Sequence, residues 1–255
     1  MLPLILIPGA QGRWEYMKPT VDALSTDFQV LTYSLHGRTM EDYVSQVSRT
    51  LDDHALERAV ICGVSFGGLI ALRFAALCPN RTVALVMVST PGPGWHLRPR
   101  HQVYARLPWL FGPLFLAETP WRMRPEMSAA LPNWRDRWAF NRAALRTFIS
   151  APVRFAALAT RARLIERLDV RADCARVSAP TLIVTGERHL DRVVPAEGTS
   201  EYLQLIGNAR GAVLQHTGHA GTMTRPHAFA ALVREFVGAH VGAHPAVRPT
   251  RDQVA

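Results

Sequence analysis

The chain has 255 residues, of which 48% are hydrophobic and 19% charged, and its formal net charge is +9 at pH 7. This length fits one globular domain that contains an insertion, and the apolar fraction is too high for a disordered chain. No uninterrupted apolar run reaches the roughly 18 residues that a membrane-spanning helix needs, so we expect no membrane span.

The first predicted elements alternate between short apolar runs and segments of helical period. In chain order they are strand Leu4–Ile7, helix Glu15–Leu24, strand Phe28–Tyr33, helix Glu41–His54, strand Ala59–Cys62, helix Phe66–Leu77 and strand Val83–Val88. This alternation predicts an α/β fold with a mostly parallel sheet and helices on both faces.

No strand is predicted between Gly92 and Arg176, where helical stretches are interrupted by Pro and Trp. The alternation then resumes with strand Thr181–Thr185, helix Glu197–Ile206, strand Ala212–Gln215 and helix His227–Val237. We therefore predict a core of residues 1–91 and 177–240, an inserted helical cap of residues 92–176, and a mobile C-terminal tail of residues 241–255. Residues 92–176 are called the cap segment below.

Cysteine usage and the start of the chain both bear on location. Three scattered cysteines (Cys62, Cys78 and Cys174) fit neither a disulfide framework nor a CxxC metal site. The apolar start, Met1 to Ile7, lacks a basic segment and predicts a strand rather than a signal peptide. Both features favour a cytoplasmic location.

The motif most specific for chemistry is Gly63-Val64-Ser65-Phe66-Gly67, between a predicted strand and a predicted helix. A serine on such a tight turn needs strained backbone angles, and small residues two positions away avoid collisions with neighbouring strands. The pattern predicts Ser65 as a nucleophile.

In this motif and its strand-turn-helix context the chain resembles the α/β-hydrolase family, over roughly Leu4 to Val237. The resemblance implies an α/β-hydrolase sheet of six strands, because the strand pair that usually precedes the first strand is missing. It also implies acyl transfer without a metal or organic cofactor, through a nucleophile, acid and histidine in that chain order. Strand Phe28–Tyr33 would lie at an edge that could pair in a homodimer.

The resemblance also implies positions for the acid and the base. Asp191-Arg192-Val193-Val194-Pro195 is similar to the family's Asp-x-x-Val-Pro segment, which makes Asp191 the expected acid, with Glu187 as the competitor. His216-Thr217-Gly218-His219 is similar to the family's Gly-His turn. It implies His219 as the base and His216 as a neighbour of the site.

Two backbone N–H groups are expected to bind the oxyanion, those of Phe66 and Ala10. Many relatives have His-Gly in the loop after the first strand, where this chain has Pro8-Gly9. Because the donor is a backbone group, the replacement need not abolish function.

Five of the six tryptophans lie in the cap segment, where they could line an apolar pocket or pack the cap onto the core. Trp95 and His96 follow strand Val83–Val88 at the hinge, and are expected in the substrate pocket.

The cap segment also has 15 arginines and six acidic residues, so the whole excess of +9 lies there. That charge could attract an anionic substrate, bind an anionic lipid surface, or simply be solvated.

The sequence thus predicts a serine hydrolase that cleaves a carboxylic ester, thioester or lactone in a small-molecule acyl substrate, without a nucleic-acid partner. Alternatives on the same fold are a carbon–carbon bond hydrolase, a lyase, an acyltransferase or a non-enzymatic binding protein. A haloalkane dehalogenase is disfavoured, because those relatives have Asp where this chain has Ser65.

Overall fold

The computed structural model describes residues 1–241; apart from its first position, the predicted tail of residues 241–255 lies outside the described residues. Six parallel strands form one sheet in the order β2-β1-β3-β4-β5-β6. The strands are β1 (Leu2–Ile7), β2 (Phe28–Thr32), β3 (Ala59–Val64), β4 (Thr82–Val88), β5 (Thr181–Thr185) and β6 (Ala209–Val213). The predicted six-stranded α/β sheet is confirmed.

Helices connect the strands, and short 3-10 helices lie at Trp14–Met17 and Pro79–Arg81. The α-helices of the described chain are α1 (Lys18–Leu24), α2 (Met40–Asp53), α3 (Phe66–Leu77), α4 (Pro99–Arg106), α5 (Pro108–Ala117), α6 (Thr119–Ala130), α7 (Trp134–Ser150), α8 (Phe155–Arg167), α9 (Arg171–Arg176), α10 (Ala196–Ser200), α11 (Tyr202–Leu205), α12 (Gly221–Thr224) and α13 (Pro226–Val241). Helices α4 to α9 lie in the cap segment, between β4 and β5.

The core has two apolar layers because successive strand residues point to opposite faces of the sheet. Ile5 and Ile61 pack on one face with the buried residues of α2 and α3. Leu4 and Val60 pack on the other face with those of α1 and α13. The central strands are therefore covered on both sides, which explains their continuous apolar runs.

Three predicted elements differ from the structure. The helix predicted for Glu15–Leu24 is a 3-10 helix, Trp14–Met17, followed by α1. Strand β6 spans Ala209–Val213 rather than Ala212–Gln215, and its burial is mixed because it is an edge strand. The single helix predicted for Glu197–Ile206 is two short helices, α10 and α11. The predicted position of β2 at the other edge of the sheet is confirmed.

The cap segment has an unusual surface. Helix α7 buries none of its 17 residues. Four tryptophans in the segment are 58–75% exposed: Trp109, Trp121, Trp134 and Trp138. None of these four rings is packed as a core residue, and none lines either of the two cavities described, so their role in a substrate pocket stays a prediction. Within residues 1–241, no helix is both long and apolar enough to cross a bilayer.

Candidate active site at the carboxyl ends of the strands

Ser65 lies on the sharp turn between β3 and α3, at the carboxyl end of a central strand. Its φ of 55° and ψ of −120° are strained for a non-glycine residue. A Cβ at Gly63 would collide with the backbone of Gly67, and a Cβ at Gly67 would collide with the carbonyl of Ile7. The two motif glycines therefore let the helix approach the sheet closely enough to hold Ser65 at its tip.

His219 and Asp191 form an ion pair near the ends of β6 and β5. The distance from His219 Nδ1 to Asp191 Oδ2 is 3.3 Å, and the Asp191 side chain is only 2% exposed. The other oxygen, Asp191 Oδ1, accepts hydrogen bonds from Val193 N–H at 2.9 Å and Val194 N–H at 2.8 Å. These bonds fix the carboxylate, which can then orient the imidazole and stabilise its charged form.

The competing pair, Glu187 and His216, has a different environment. Glu187 Oε1 accepts a hydrogen bond from the backbone N–H of His216 at 2.6 Å, whereas His216 Nδ1 is 3.9 Å away. The His216 side chain is 63% exposed, against 18% for His219. The geometry therefore favours Asp191 and His219 over Glu187 and His216 as the acid and the base.

A carboxylate from the cap segment also faces His219. Glu126 of α6 is 1% exposed, and its Oε1 accepts a hydrogen bond from Ala220 N–H at 2.8 Å. Burial lowers the pKa of His219, but the charge and hydrogen bond of Asp191 together with the charge of Glu126 outweigh it, so the pKa is raised overall. Burial raises the pKa of Glu126 to about 7.

Ser65, Asp191 and His219 all follow the carboxyl ends of strands, on the same side of the sheet. The contact between Asp191 and His219 is formed, but the one between Ser65 and His219 is not. No hydrogen bond joins the Ser65 hydroxyl to His219, both of which are in the described part of the chain. The larger of the two cavities described, about 520 Å³, lies beside Glu187 and does not include Ser65. The catalytic hydrogen bond would therefore have to form when substrate binds, as is common in apo structures.

The loop after β1 lies against Ser65. A Cβ placed on Gly9 would be 3.4 Å from the Ser65 Cβ. Gly9 O accepts a hydrogen bond from Gly12 N–H at 2.9 Å, and Gly12 has a φ of +75°. Because the C=O and N–H of a trans peptide point in opposite directions, this bond fixes the direction of Ala10 N–H. Phe66 is the first residue of α3, so its N–H has no acceptor within the helix.

Arg161 of α8 anchors this loop from the cap segment. It is 4% exposed, and it donates hydrogen bonds to Ala10 O at 2.9 Å and Leu35 O at 2.8 Å. Its Nε also donates to the Tyr43 hydroxyl at 3.2 Å, and the Tyr43 ring packs edge-on against Phe66. Arg161 thus holds the loop beside Ser65 directly, and contacts the first residue of α3 through Tyr43.

Trp95 and His96 lie between β4 and α4, as the sequence predicts. Trp95 is partly buried and His96 is exposed. Neither lines the two cavities described, so their role in a substrate pocket stays a prediction.

Sequence reasoning missed three cap residues that contact the site or act on it: Arg122, Glu126 and Arg161. Glu126 and Ala220 are 94 positions apart, and Arg161 and Ala10 are 151 positions apart. The only signal in the sequence was the concentration of arginine in the cap segment, which does not distinguish a buried arginine from a solvated one.

Comparison with known proteins shows what the chain as a whole is similar to. The model of a family described as "Alpha/beta hydrolase family" matches residues 4–232. A protein of Pseudomonas savastanoi pv. phaseolicola named "Putative carbamate hydrolase RutD" is 27% identical over 266 residues, covering 92% of this chain and 93% of that protein.

Solved structures with the same fold include two hydrolases of different substrates. The enol-lactonase of Burkholderia xenovorans LB400 superimposes with a TM-score of 0.71 at 23% identity, covering 92% of this chain and 91% of that chain. The meta-cleavage product hydrolase of Pseudomonas fluorescens IP01 gives a TM-score of 0.71 at 22% identity, covering 94% and 91%. At this identity the likeness shows the fold alone.

Proposed function

Because the chain belongs to the α/β hydrolase family, we propose that it is a serine hydrolase that cleaves a carboxylic ester, thioester or lactone. The observation that best supports this is the strained φ of Ser65 at the tip of the β3–α3 turn. A fold tolerates such strain at a nucleophile, where it exposes the hydroxyl above the sheet.

In the proposed reaction, His219 accepts the proton of the Ser65 hydroxyl while the oxygen attacks the acyl carbon. Asp191 holds the imidazole and stabilises its positive charge across the 3.3 Å contact. The N–H groups of Ala10 and Phe66 bind the oxyanion. His219 then returns the proton to the leaving alcohol or thiol, and water releases the acyl group from Ser65 by the reverse sequence.

The test is a panel of 4-nitrophenyl esters with short and medium acyl chains, a lactone and an aryl carbamate, assayed with the wild type. We expect turnover of at least one acyl class, and a loss of about 10³-fold or more in Ser65→Ala and in His219→Ala. A Glu187→Gln variant is the matched control, since its carboxylate lies beside His216, and we expect it to keep activity within about threefold. Undiminished activity in Ser65→Ala would disprove the proposal.

Carbon–carbon bond hydrolysis is a second candidate, supported by the arginine-rich cap segment, which suits substrates that bear a carboxylate. An anionic vinylogous diketone assayed beside the esters separates the two reactions. A higher kcat/KM for the diketone would favour carbon–carbon cleavage, and a higher value for the esters would favour ester hydrolysis.

A further inference from the structure

Arg122 of α6 is a partly buried cation that has no acidic partner among residues 1–241. Its Nε is buried and has no hydrogen-bond partner in the described structure. Within the described part of the chain, its guanidinium makes one hydrogen bond, from Nη2 to the Thr119 hydroxyl at 3.2 Å, and lies 4.6 Å from the centre of the Phe115 ring. Arginines withdrawn from water are normally paired with a carboxylate, so this one is free to bind an anion.

The position of Arg122 links it to the candidate active site. Arg122 lies one helical turn before Glu126 on α6, and Glu126 accepts a hydrogen bond from Ala220 N–H, next to His219 in the chain. Against the overall rise in the pKa of His219, burial lowers it most and the charge of Arg122 adds to that lowering.

Burial lowers the pKa of His101 most, and the charges of Arg122, Arg100 and Arg98 lower it further. Of these neighbours, Arg100 is paired with Glu118, and Arg98 is exposed. Around His101, three arginines therefore face one carboxylate, that of Glu118.

We propose that Arg122 binds an anionic substituent, a carboxylate above all, on the substrate that Ser65 attacks. The planar guanidinium can donate two parallel hydrogen bonds to a carboxylate, and the Phe115 ring behind it limits its motion. This proposal rests on the proposed function, because it names the substrate class of the same site: esters or lactones with a negatively charged group.

Glu126, one helical turn beyond Arg122, is the acidic group that could oppose this binding. Its Oε1 is already bonded to Ala220 N–H, and its Oε2 is buried without a partner. Because burial raises its pKa to about 7, Glu126 is largely neutral in slightly acidic solution and does not then cancel the charge of Arg122. Anion binding should therefore be stronger below pH 7 than above it.

The experiment compares two esters that differ only in charge: 4-nitrophenyl hydrogen glutarate, which is anionic, and its methyl ester, which is neutral. We expect the wild type to prefer the anionic ester in kcat/KM by about tenfold, as a charge-assisted contact predicts. In Arg122→Met the ratio should fall to about one or below. Arg122→Lys, which keeps the charge but not the paired donors, should give an intermediate ratio.

Arg124→Met is the matched control, because Arg124 lies on the same helix, is exposed and stacks on Trp121. Its ratio should match that of the wild type within about twofold. Glutarate binding, measured by calorimetry on the wild type and Arg122→Met, tests the site without turnover. We expect glutarate affinity to fall about tenfold in Arg122→Met.

The outcomes separate this inference from the proposed function. Hydrolysis of the neutral ester through Ser65 without any anion preference, or an unchanged ratio in Arg122→Met, would overturn the role of Arg122 alone. Equal loss on both esters, with unchanged glutarate affinity, would show that Arg122 only supports the fold. If neither of these esters nor any substrate of the acyl panel is cleaved, the proposed function fails, and glutarate affinity still decides whether Arg122 binds anions.

Discussion

Glu126 and His219 affect each other's protonation, because burial raises the pKa of the Glu126 carboxyl to about 7 and the charge of that carboxyl helps to raise the pKa of the His219 imidazole. As the proposed general base, His219 must be neutral in the free enzyme, so we expect activity to be lost as the pH falls through its pKa. The carboxylate of Glu126 favours the protonated imidazole and should move that loss to higher pH.

Glu126→Gln should therefore shift the acidic limb of the pH profile of kcat/KM to lower pH. The amide oxygen can still accept the hydrogen bond from Ala220 N–H, while the negative charge beside His219 is gone. The measurement is kcat/KM from pH 5 to 9 on a neutral ester. Glu235→Gln, which removes an exposed carboxylate from α13, is the control and should leave the limb in place. A limb that stays fixed in Glu126→Gln would show that the carboxylate has no electrostatic role.

Arg161 provides a prediction for the loop beside Ser65. Arg161→Met would leave Ala10 O and Leu35 O without their buried donor, which should lower the free energy of unfolding by about 3 kcal/mol. The loop would also be less well fixed, so kcat should fall by about tenfold with a smaller change in KM. Urea unfolding and steady-state kinetics measure both effects. Arg163→Met, an exposed arginine on the same helix, should change neither, and equal effects in the two variants would contradict the assignment.

A site residue could be predicted from the sequence when its signal lay in a local motif or in chain order, and not when it depended on contacts between distant parts of the chain. Ser65 lies within a local motif, and Asp191 and His219 follow strands, so pattern and chain order sufficed to nominate them. Glu126 and Arg161 meet the core only through tertiary packing, and nothing near them in the sequence distinguishes them from the other charged cap residues. The choice between Glu187 and Asp191 also required geometry, because both follow β5 within a few residues.

Helices α3 and α7 differ in how many of their residues are buried. Ten of the 12 residues of α3 are buried, whereas α7 buries none of its 17. Phe74 of α3 is fully buried, and Trp138 of α7 is 58% exposed. Burial of apolar area, not the hydrophobicity of the residue itself, determines what a side chain contributes.

Phe74→Ala should therefore cost about 3–5 kcal/mol of unfolding free energy, while Trp138→Ala should change it by about 0.5 kcal/mol or less. Chemical denaturation of both variants beside the wild type gives the two values. A cost for Trp138→Ala that approaches that of Phe74→Ala would mean that α7 packs against the protein more closely than its exposure indicates.

The same contrast explains which elements the sequence predicted well. Strands β1, β3 and β4 are covered on both faces, so their apolar runs stand out, and their predicted ranges lie within the observed ones. Strand β6 is an edge strand that includes exposed Arg210 and Gly211, which an apolar criterion overlooks. The tryptophans of the cap segment misled the prediction in the opposite direction, because aromatic residues usually indicate burial.

At the scale of the whole molecule, the excess charge and the proposed catalytic residues lie in different parts of the chain. The cap segment has a balance of +9, and the rest of the chain has 14 basic and 14 acidic residues. Ser65, Asp191 and His219 all belong to the neutral part. A field of one sign around the approach to a site attracts ligands of the opposite sign over a distance of about one Debye length, roughly 10 Å at 0.1 M salt.

This division predicts that salt separates two contributions to the preference for the anionic glutarate ester. One is long-range attraction by the cap segment, and the other is direct contact with Arg122. Raising NaCl from about 20 mM to about 500 mM should lower kcat/KM several-fold for the anionic ester and leave the neutral ester nearly unchanged, because only long-range attraction is screened. Replacing the exposed Arg135, Arg142 and Arg146 of α7 by Gln should flatten this salt dependence. A direct contact is screened by salt much less than a distant charge. We therefore expect part of the preference for the anionic ester to persist at high salt. This part should remain in the α7 variant and disappear in Arg122→Met. If the α7 variant loses the high-salt preference as well, the selectivity belongs to the cap surface as a whole rather than to Arg122.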